Sequence, residues 1–217
     1  MMKRSGQLAR VLELPFTRAL IALLVILALG ALFNADGTFF RWDTHRDMLR
    51  HISRFGILAC GMTIVIIAGG IDLSVGSVLG LTAVVSALLS IHHGMPAWVA
   101  VPLCCLLGLA CGAVSGALIA RFSIQPFIAT LAMMVFARGA AKYVSEGKKI
   151  SQGVETPEGF QYLDFPKLYE FLNAKILGDN IAVVTLVFLL CVGVSWLLLA
   201  RLRPGRHLYA IGGNEAA

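Results

Sequence analysis

The sequence predicts an all-α, polytopic helical membrane protein, and three observations predict it. Hydrophobic residues make up 58% of the 217-residue chain and charged ones only 14%, against about 25% charged in an ordinary soluble domain. The mean hydropathy is +0.83. The apolar residues gather into long runs separated by short polar segments. A bilayer core about 30 Å thick takes roughly 20 apolar residues per helix, so the chain is expected to form a single membrane domain over 1–217 with about six transmembrane helices.

The first span is expected at Ala19–Phe33, behind Lys3, Arg4, Arg10 and Arg18. A basic start before an apolar run also suits a signal peptide. The sequence that follows, Asn34-Ala35-Asp36-Gly37, offers no clear small-x-small cleavage site, and a retained helix is the better reading. Next, Arg41–Phe55 combines four arginines with Met48, Ile52 and Phe55 at i, i+4, i+7, the pattern of an interfacial helix. It feeds a second span, Met48–Ile71, whose most apolar part is Ile57–Ala68. Further spans are expected at Val75–Ile91, Trp98–Ala120, Pro126–Tyr143 and Asn180–Leu202. Residues 144–179 carry Gly153, Pro157, Gly159, Pro166 and charges of both signs, which suits an extracytoplasmic loop with short ordered pieces.

Within the fourth span Gly108, Gly112 and Gly116 recur every four residues beside Ser115, which allows close helix packing in one bundle or, alternatively, a dimer seam. Cys60, Cys104, Cys105, Cys111 and Cys191 all lie in apolar segments, where cysteine behaves as a small hydrophobe. None shows a Cys-x-x-Cys spacing, so no metal site, cofactor or disulfide framework is expected.

The net charge is +6 and the pI near 9.3, yet the basic residues sit in small groups between spans and form no nucleic-acid-binding face. Membrane lipid is the better partner for them. With six spans, Lys3–Arg18, Arg121 and Arg201–Arg206 fall on one side, placed in the cytoplasm with the N-terminus. The count itself gives little support to this orientation: eight Lys and Arg lie on that side and ten on the other.

The most informative stretch is Gly69-Gly70-Ile71-Asp72-Leu73-Ser74-Val75-Gly76-Ser77, where glycines, a carboxylate and hydroxyls interrupt apolar sequence. Irregular backbone at membrane depth survives only where it is buried in protein or lines water, and an ionisable group there points to function. Gly69, Gly70, Asp72, Ser74, Gly76 and Ser77 are therefore candidates for a helix break and translocation path. A tight turn in which Asp72 caps the third helix is the plainer, compatible reading.

Gly61–Ser77, read as Gly-Met-Thr-Ile-Val-Ile-Ile-Ala-Gly-Gly-Ile-Asp-Leu-Ser-Val-Gly-Ser, resembles the signature of permease subunits of monosaccharide ABC importers of the ribose, xylose and arabinose type, within the branched-chain amino acid and ribose permease family. Ile124-Gln125-Pro126-Phe127-Ile128-Ala129-Thr130-Leu131 is similar to the segment opening a later span of that family. Gly205–Ala217 is similar to its cytoplasmic coupling segment. Independently, Pro126 suits a helical first turn, while Gln125 and Thr130 are polar groups able to line a path or bond a neighbouring helix.

The resemblance implies a bacterial inner-membrane permease subunit that translocates a monosaccharide. Its implied partners are cytoplasmic ATPase subunits, a periplasmic sugar-binding protein and a second permease copy or homologous permease. It also implies that 203–217 is the coupling segment, with Gly212, Gly213, Asn214 and Glu215 contacting the ATPase. Family members run on past this segment through further spans, so the chain reads as C-terminally incomplete.

Other functions fit less well. Gly112-Ala113-Val114-Ser115-Gly116 has the wrong spacing for a Gly-x-Ser-Gly intramembrane protease, and His-Glu-x-x-His is absent, so no catalytic residue and no enzyme is expected. Nor is there a Gly-x-x-x-x-Gly-Lys-Ser/Thr loop, which leaves ATP hydrolysis to a separate chain. A permease for another small polar solute such as a branched-chain amino acid, and an ion-coupled carrier or channel using Asp72, are the alternatives.

Overall fold

The computed structural model describes residues 15–156 and 159–213, and all statements below concern these. The chain divides into two compact units, residues 1–51 and 52–217.

In the first unit, α1 (Pro15–Leu32) is an uninterrupted apolar helix. A 3-10 turn follows at Ala35–Phe40, where Asp36 and Gly37 take left-handed backbone conformations. The Asn34 side chain accepts from the Phe39 amide at 3.0 Å, and the Phe39 ring lies where a Cβ on Gly30 would be, so glycine is what lets the ring close on α1. Helix α2 (Trp42–Ile67) begins here, its first turn tied by Arg46 to Asp43 at 3.0 Å. The charged turns and the second span that they were expected to feed form one continuous helix of 26 residues. No proline or glycine lies between Trp42 and Phe55 to interrupt it, so the backbone ladder runs through the change in polarity.

The second unit holds the remainder of α2, then α3 (Val75–Ala87) extended by a π turn at Leu88–His92. After it come α4 (Ala97–Phe122) and α5 (Pro126–Val144). A hairpin of β1 (Gly153–Thr156) and β2 (Gly159–Tyr162) precedes α6 (Lys167–Asn173). Then β3 (Lys175–Ile176) and β4 (Ile181–Ala182) pair antiparallel ahead of α7 (Val183–Arg201) and α8 (Arg203–Gly213). Residues 144–179 thus carry the expected short ordered pieces and no span.

Five helical stretches are long and apolar enough to cross a membrane: Trp42–Ile67, Val75–His92, Ala97–Phe122, Pro126–Val144 and Val183–Arg201. Six were expected; the first of them is here a shorter apolar helix, Phe16–Leu32 among the described residues. The architecture is an all-α, multi-pass membrane fold.

Helices α3, α4 and α5 supply the core, where Leu81, Cys111, Met133 and Ala137 pack together. Gly108 faces Val78 and Thr82 of α3, whereas Cβ atoms on Gly112 and Gly116 would meet nothing within 4 Å. Among the described residues, only the first glycine of the expected stripe therefore lies against a neighbouring helix. Helix α7 docks on α2 through Ser53 Oγ, which donates to Thr185 Oγ1 at 3.1 Å with both residues buried. The Phe188 ring lies directly over Gly56. In an apolar solvent, such small-residue contacts and interhelical hydrogen bonds drive association, because lipid tails are as apolar as Leu.

Candidate functional site

Residues 68–74 connect α2 to α3, two helices each long enough to cross a membrane, so the glycine-rich segment joins helices here. Its first half is a helix terminator. Gly69 has φ +77°; its amide donates to the Ile66 carbonyl at 3.0 Å, and the Gly70 amide to the Val65 carbonyl at 3.0 Å. This pair of bonds is the Schellman arrangement, with Gly69 at the left-handed position that only glycine adopts without cost.

The second half belongs to Asp72. One carboxylate oxygen accepts from the Ser74 amide at 2.7 Å and from the Ser74 hydroxyl at 2.6 Å. An Asx turn of this kind mimics a backbone turn. In the plainer of the two sequence readings Asp72 caps the third helix; its carboxylate bonds go to Ser74, the residue before the helix. The Ser74 carbonyl then receives the amides of Ser77 and Val78, both at 2.9 Å.

Thr130 comes to the same place from α5. It is 3% exposed, and its hydroxyl lies 2.8 Å from the Pro126 carbonyl and 3.3 Å from that of Ile71. A threonine commonly returns its hydroxyl to its own helix; here the second acceptor also ties the start of α5 to the α2–α3 connection. Gln125, by contrast, is exposed at the N-cap of α5 with no side-chain capping bond, ahead of Pro126 in the first turn.

Beside the connection, a cleft of about 260 Å³ runs between α3 and α5, lined by Leu73, Gly76, Ser77, Gly80, Met134, Arg138 and Ala141. It gathers Gly76 and Ser77 from the expected path together with Arg138. Arg138 falls inside the expected fifth span and lies within α5, six residues before the end at Val144. A cation enclosed in an apolar run is the signal that was available for it.

A larger cleft of about 920 Å³ sits where α3 meets α4. His92, His93, Trp98, Asp164, Phe165 and Lys167 are among its lining residues. The loop is pinned there by Tyr169 of α6, whose hydroxyl contacts the hydroxyls of Ser86 and Ser90, the latter at 3.0 Å. His92 Nε2 lies 3.1 Å from the Ser151 carbonyl oxygen.

At the end of the described chain, α8 folds back on α7. A Cβ on Gly205 would overlap the Leu198 and Leu199 carbonyls, so only glycine permits that turn. Gly212 lies against the end of α2, and its Cβ would collide with the Ile67 carbonyl oxygen. The α8 tip therefore touches the Schellman turn, since Gly69 is itself next to the Gly212 Cα. Around Gly213 there is open space. Asn214 and Glu215 lie outside the described residues.

Comparison with known proteins gives a consistent result. A family model described as "Branched-chain amino acid transport system / permease component" matches residues 46–217. The chain is 37% identical over 204 residues to the ribose import permease protein RbsC of Haemophilus influenzae, covering 92% of this chain and 58% of that protein. It is 34% identical over 214 residues to the fructose import permease protein FruG of Bifidobacterium longum, covering 94% and 58%. To the autoinducer 2 import system permease protein LsrD of Yersinia pseudotuberculosis the identity is 35% over 162 residues, covering 74% and 46%. The chain thus spans less than two thirds of the length of these curated relatives. No solved structure matches it.

Proposed function

The chain belongs to the family of branched-chain amino acid transport system permease components, and on that premise we propose that it is a permease subunit of an ATP-binding-cassette importer, carrying a monosaccharide across the bacterial inner membrane. The observation that carries this reading is the likeness to import permeases named for ribose and fructose, at 34–37% identity over more than nine tenths of the chain. The connection at 68–74 and the cleft beside it supply a polar break among apolar helices, which a solute path requires.

In this reading the chain itself makes and breaks no covalent bond. A cytoplasmic ATPase pair supplies the free energy, a periplasmic binding protein delivers the sugar, and a second permease copy or a homologous permease completes the path. The N-terminus and the coupling segment 203–217 face the cytoplasm, and the loop at 144–179 faces the periplasm. Gly212, Gly213, Asn214 and Glu215 form or support the ATPase contact. Gly69, Gly70, Asp72, Ser74, Gly76, Ser77, Gln125 and Thr130 shape the break and its surroundings.

Native mass spectrometry of the complex purified from source membranes tests the assembly. The expected species contains two permease chains with two ATPase subunits. A permease recovered without any ATPase under conditions that retain bound lipid contradicts it. Replacing Glu215 with Ala is expected to weaken binding-protein-stimulated ATP hydrolysis while leaving membrane insertion intact; unchanged stimulation removes Glu215 from the contact.

A further inference from the structure

We propose that the cleft between α3 and α5 is a solute-contact subsite, in which Arg138 donates hydrogen bonds to the hydroxyl oxygens of the translocated sugar; this rests on the importer reading above. The starting point is a charge in an expensive place. At 1.5 Å per residue, Arg138 stands about 9 Å inside the end of α5, one of the helices apolar enough to cross a membrane. An arginine within a membrane helix is costly, the cost falling toward the ends where the side chain can reach the interface, and such residues face a partner or a water-filled cavity.

No counter-charge comes from the cleft's own helices. Between Val75 and Val144 there is no Asp or Glu, and among the described residues Arg138 makes no hydrogen bond or ion pair. The nearest acid before α3, Asp72 in the connection, holds the Ser74 amide and hydroxyl on one carboxylate oxygen. The Arg138 side chain is exposed and lines the cleft, so its donors are open to a molecule that enters there.

The opposite wall is made for close approach. Gly76 and Gly80 lie four residues apart on one face of α3, and a Cβ at either would meet nothing within 4 Å. Ser77 between them brings a hydroxyl that both donates and accepts. Met134, Leu73 and Ala141 give apolar surface suited to the C–H faces of a sugar ring. At about 260 Å³ the space lies below the range of about 300–1,000 Å³ that holds drug-sized ligands, which fits a solute of one ring. Hydrogen bonds from a cation to neutral hydroxyls suit a path that must also release its cargo, since permeation needs binding weak enough to leave.

The test uses the complete importer, permease with ATPase and binding protein, in proteoliposomes supplied with D-ribose, and reads two quantities: ATP hydrolysed and sugar delivered. Arg138→Ala is expected to lower sugar delivered per ATP by roughly tenfold or more, the loss expected when one charge-assisted hydrogen bond goes. ATPase stimulation by the loaded binding protein is expected to stay within about twofold, because the variant spares the assembly. Gly80→Leu, which fills the cleft, gives the same signature, Arg138→Lys an intermediate one, and Lys142→Ala, one turn further along α5, leaves the ratio unchanged. A ratio unaltered in Arg138→Ala overturns the subsite, and so does a parallel fall of hydrolysis and delivery, which means a structural role. A wild-type importer that delivers L-leucine but neither D-ribose nor D-fructose overturns the sugar reading itself, independently of any Arg138 variant.

Discussion

At Gly69 the backbone sits at φ +77°, and the residue type is dictated by that angle. An L-residue forced into the left-handed region costs roughly 1–2 kcal/mol, so Gly69→Ala is expected to lower thermal stability in detergent by about that much. An unchanged melting temperature contradicts the Schellman assignment. Gly212 has a different reason for being glycine, and the difference fixes the sign of a paired experiment. Alanine is about 1 kcal/mol better than glycine inside a helix, so Gly213→Ala, with open space around it, is expected to be neutral or mildly stabilising. Gly212→Ala drives a methyl into the Ile67 carbonyl and is expected to cost about 1–3 kcal/mol, the range for overpacking. Hydrogen exchange at the amides of Gly69 and Gly70 reads this: faster in Gly212→Ala, unaltered in Gly213→Ala. Equal exchange in both means that α8 does not rest on α2. The Gly-Gly after an apolar run was legible as a terminator from sequence because the cause is local. The collision at Gly212 was not, because it comes from α8 folding back onto a helix end more than 140 residues earlier. Arg138 was visible as a charge, but its cleft exists only once α3 and α5 are side by side.

Among the elements, the spans from α3 to α5 were legible to within a few residues, because each is an apolar run closed by marked sequence: Ser74, Pro96 and Gln125-Pro126 at the starts. Where composition changes without a breaker, the helix runs on through the change. The charged turns from Trp42, expected as an amphipathic segment feeding the span, and the apolar turns to Ile67 form one helix. The π turn at Leu88–His92 left no local trace either; its interaction is with Tyr169, about 80 residues further on. Removing that hydroxyl in Tyr169→Phe strips Ser90, only 4% exposed, of its partner. Leaving a buried polar group unsatisfied costs about 1–3 kcal/mol, so α6 amides are expected to exchange faster in the variant while those of α4 do not change. Identical α6 protection in the two proteins contradicts a pinning role for Tyr169.

For the molecule as a whole, composition and hydropathy were enough to identify a multi-pass helical membrane protein, since no soluble fold hides so apolar a chain. What they could not supply is the placement of polar groups that the spans bring together. Asp72, Ser74, Thr130 and Arg138 are separated by up to 66 positions in sequence, yet they border one connection and one cleft. The bonding of Asp72 also bears on energetics. Two donors on one carboxylate oxygen give Asp72 a turn-forming role beside Ser74, and an importer driven by a partner ATPase needs no coupling ion. Uptake of D-ribose by the reconstituted importer, measured once with ATP inside and ion gradients collapsed and once with gradients imposed and no ATP, tests this most directly. Uptake in the first condition alone, retained in Asp72→Asn, is the predicted result; uptake in the second that is lost in Asp72→Asn would contradict it.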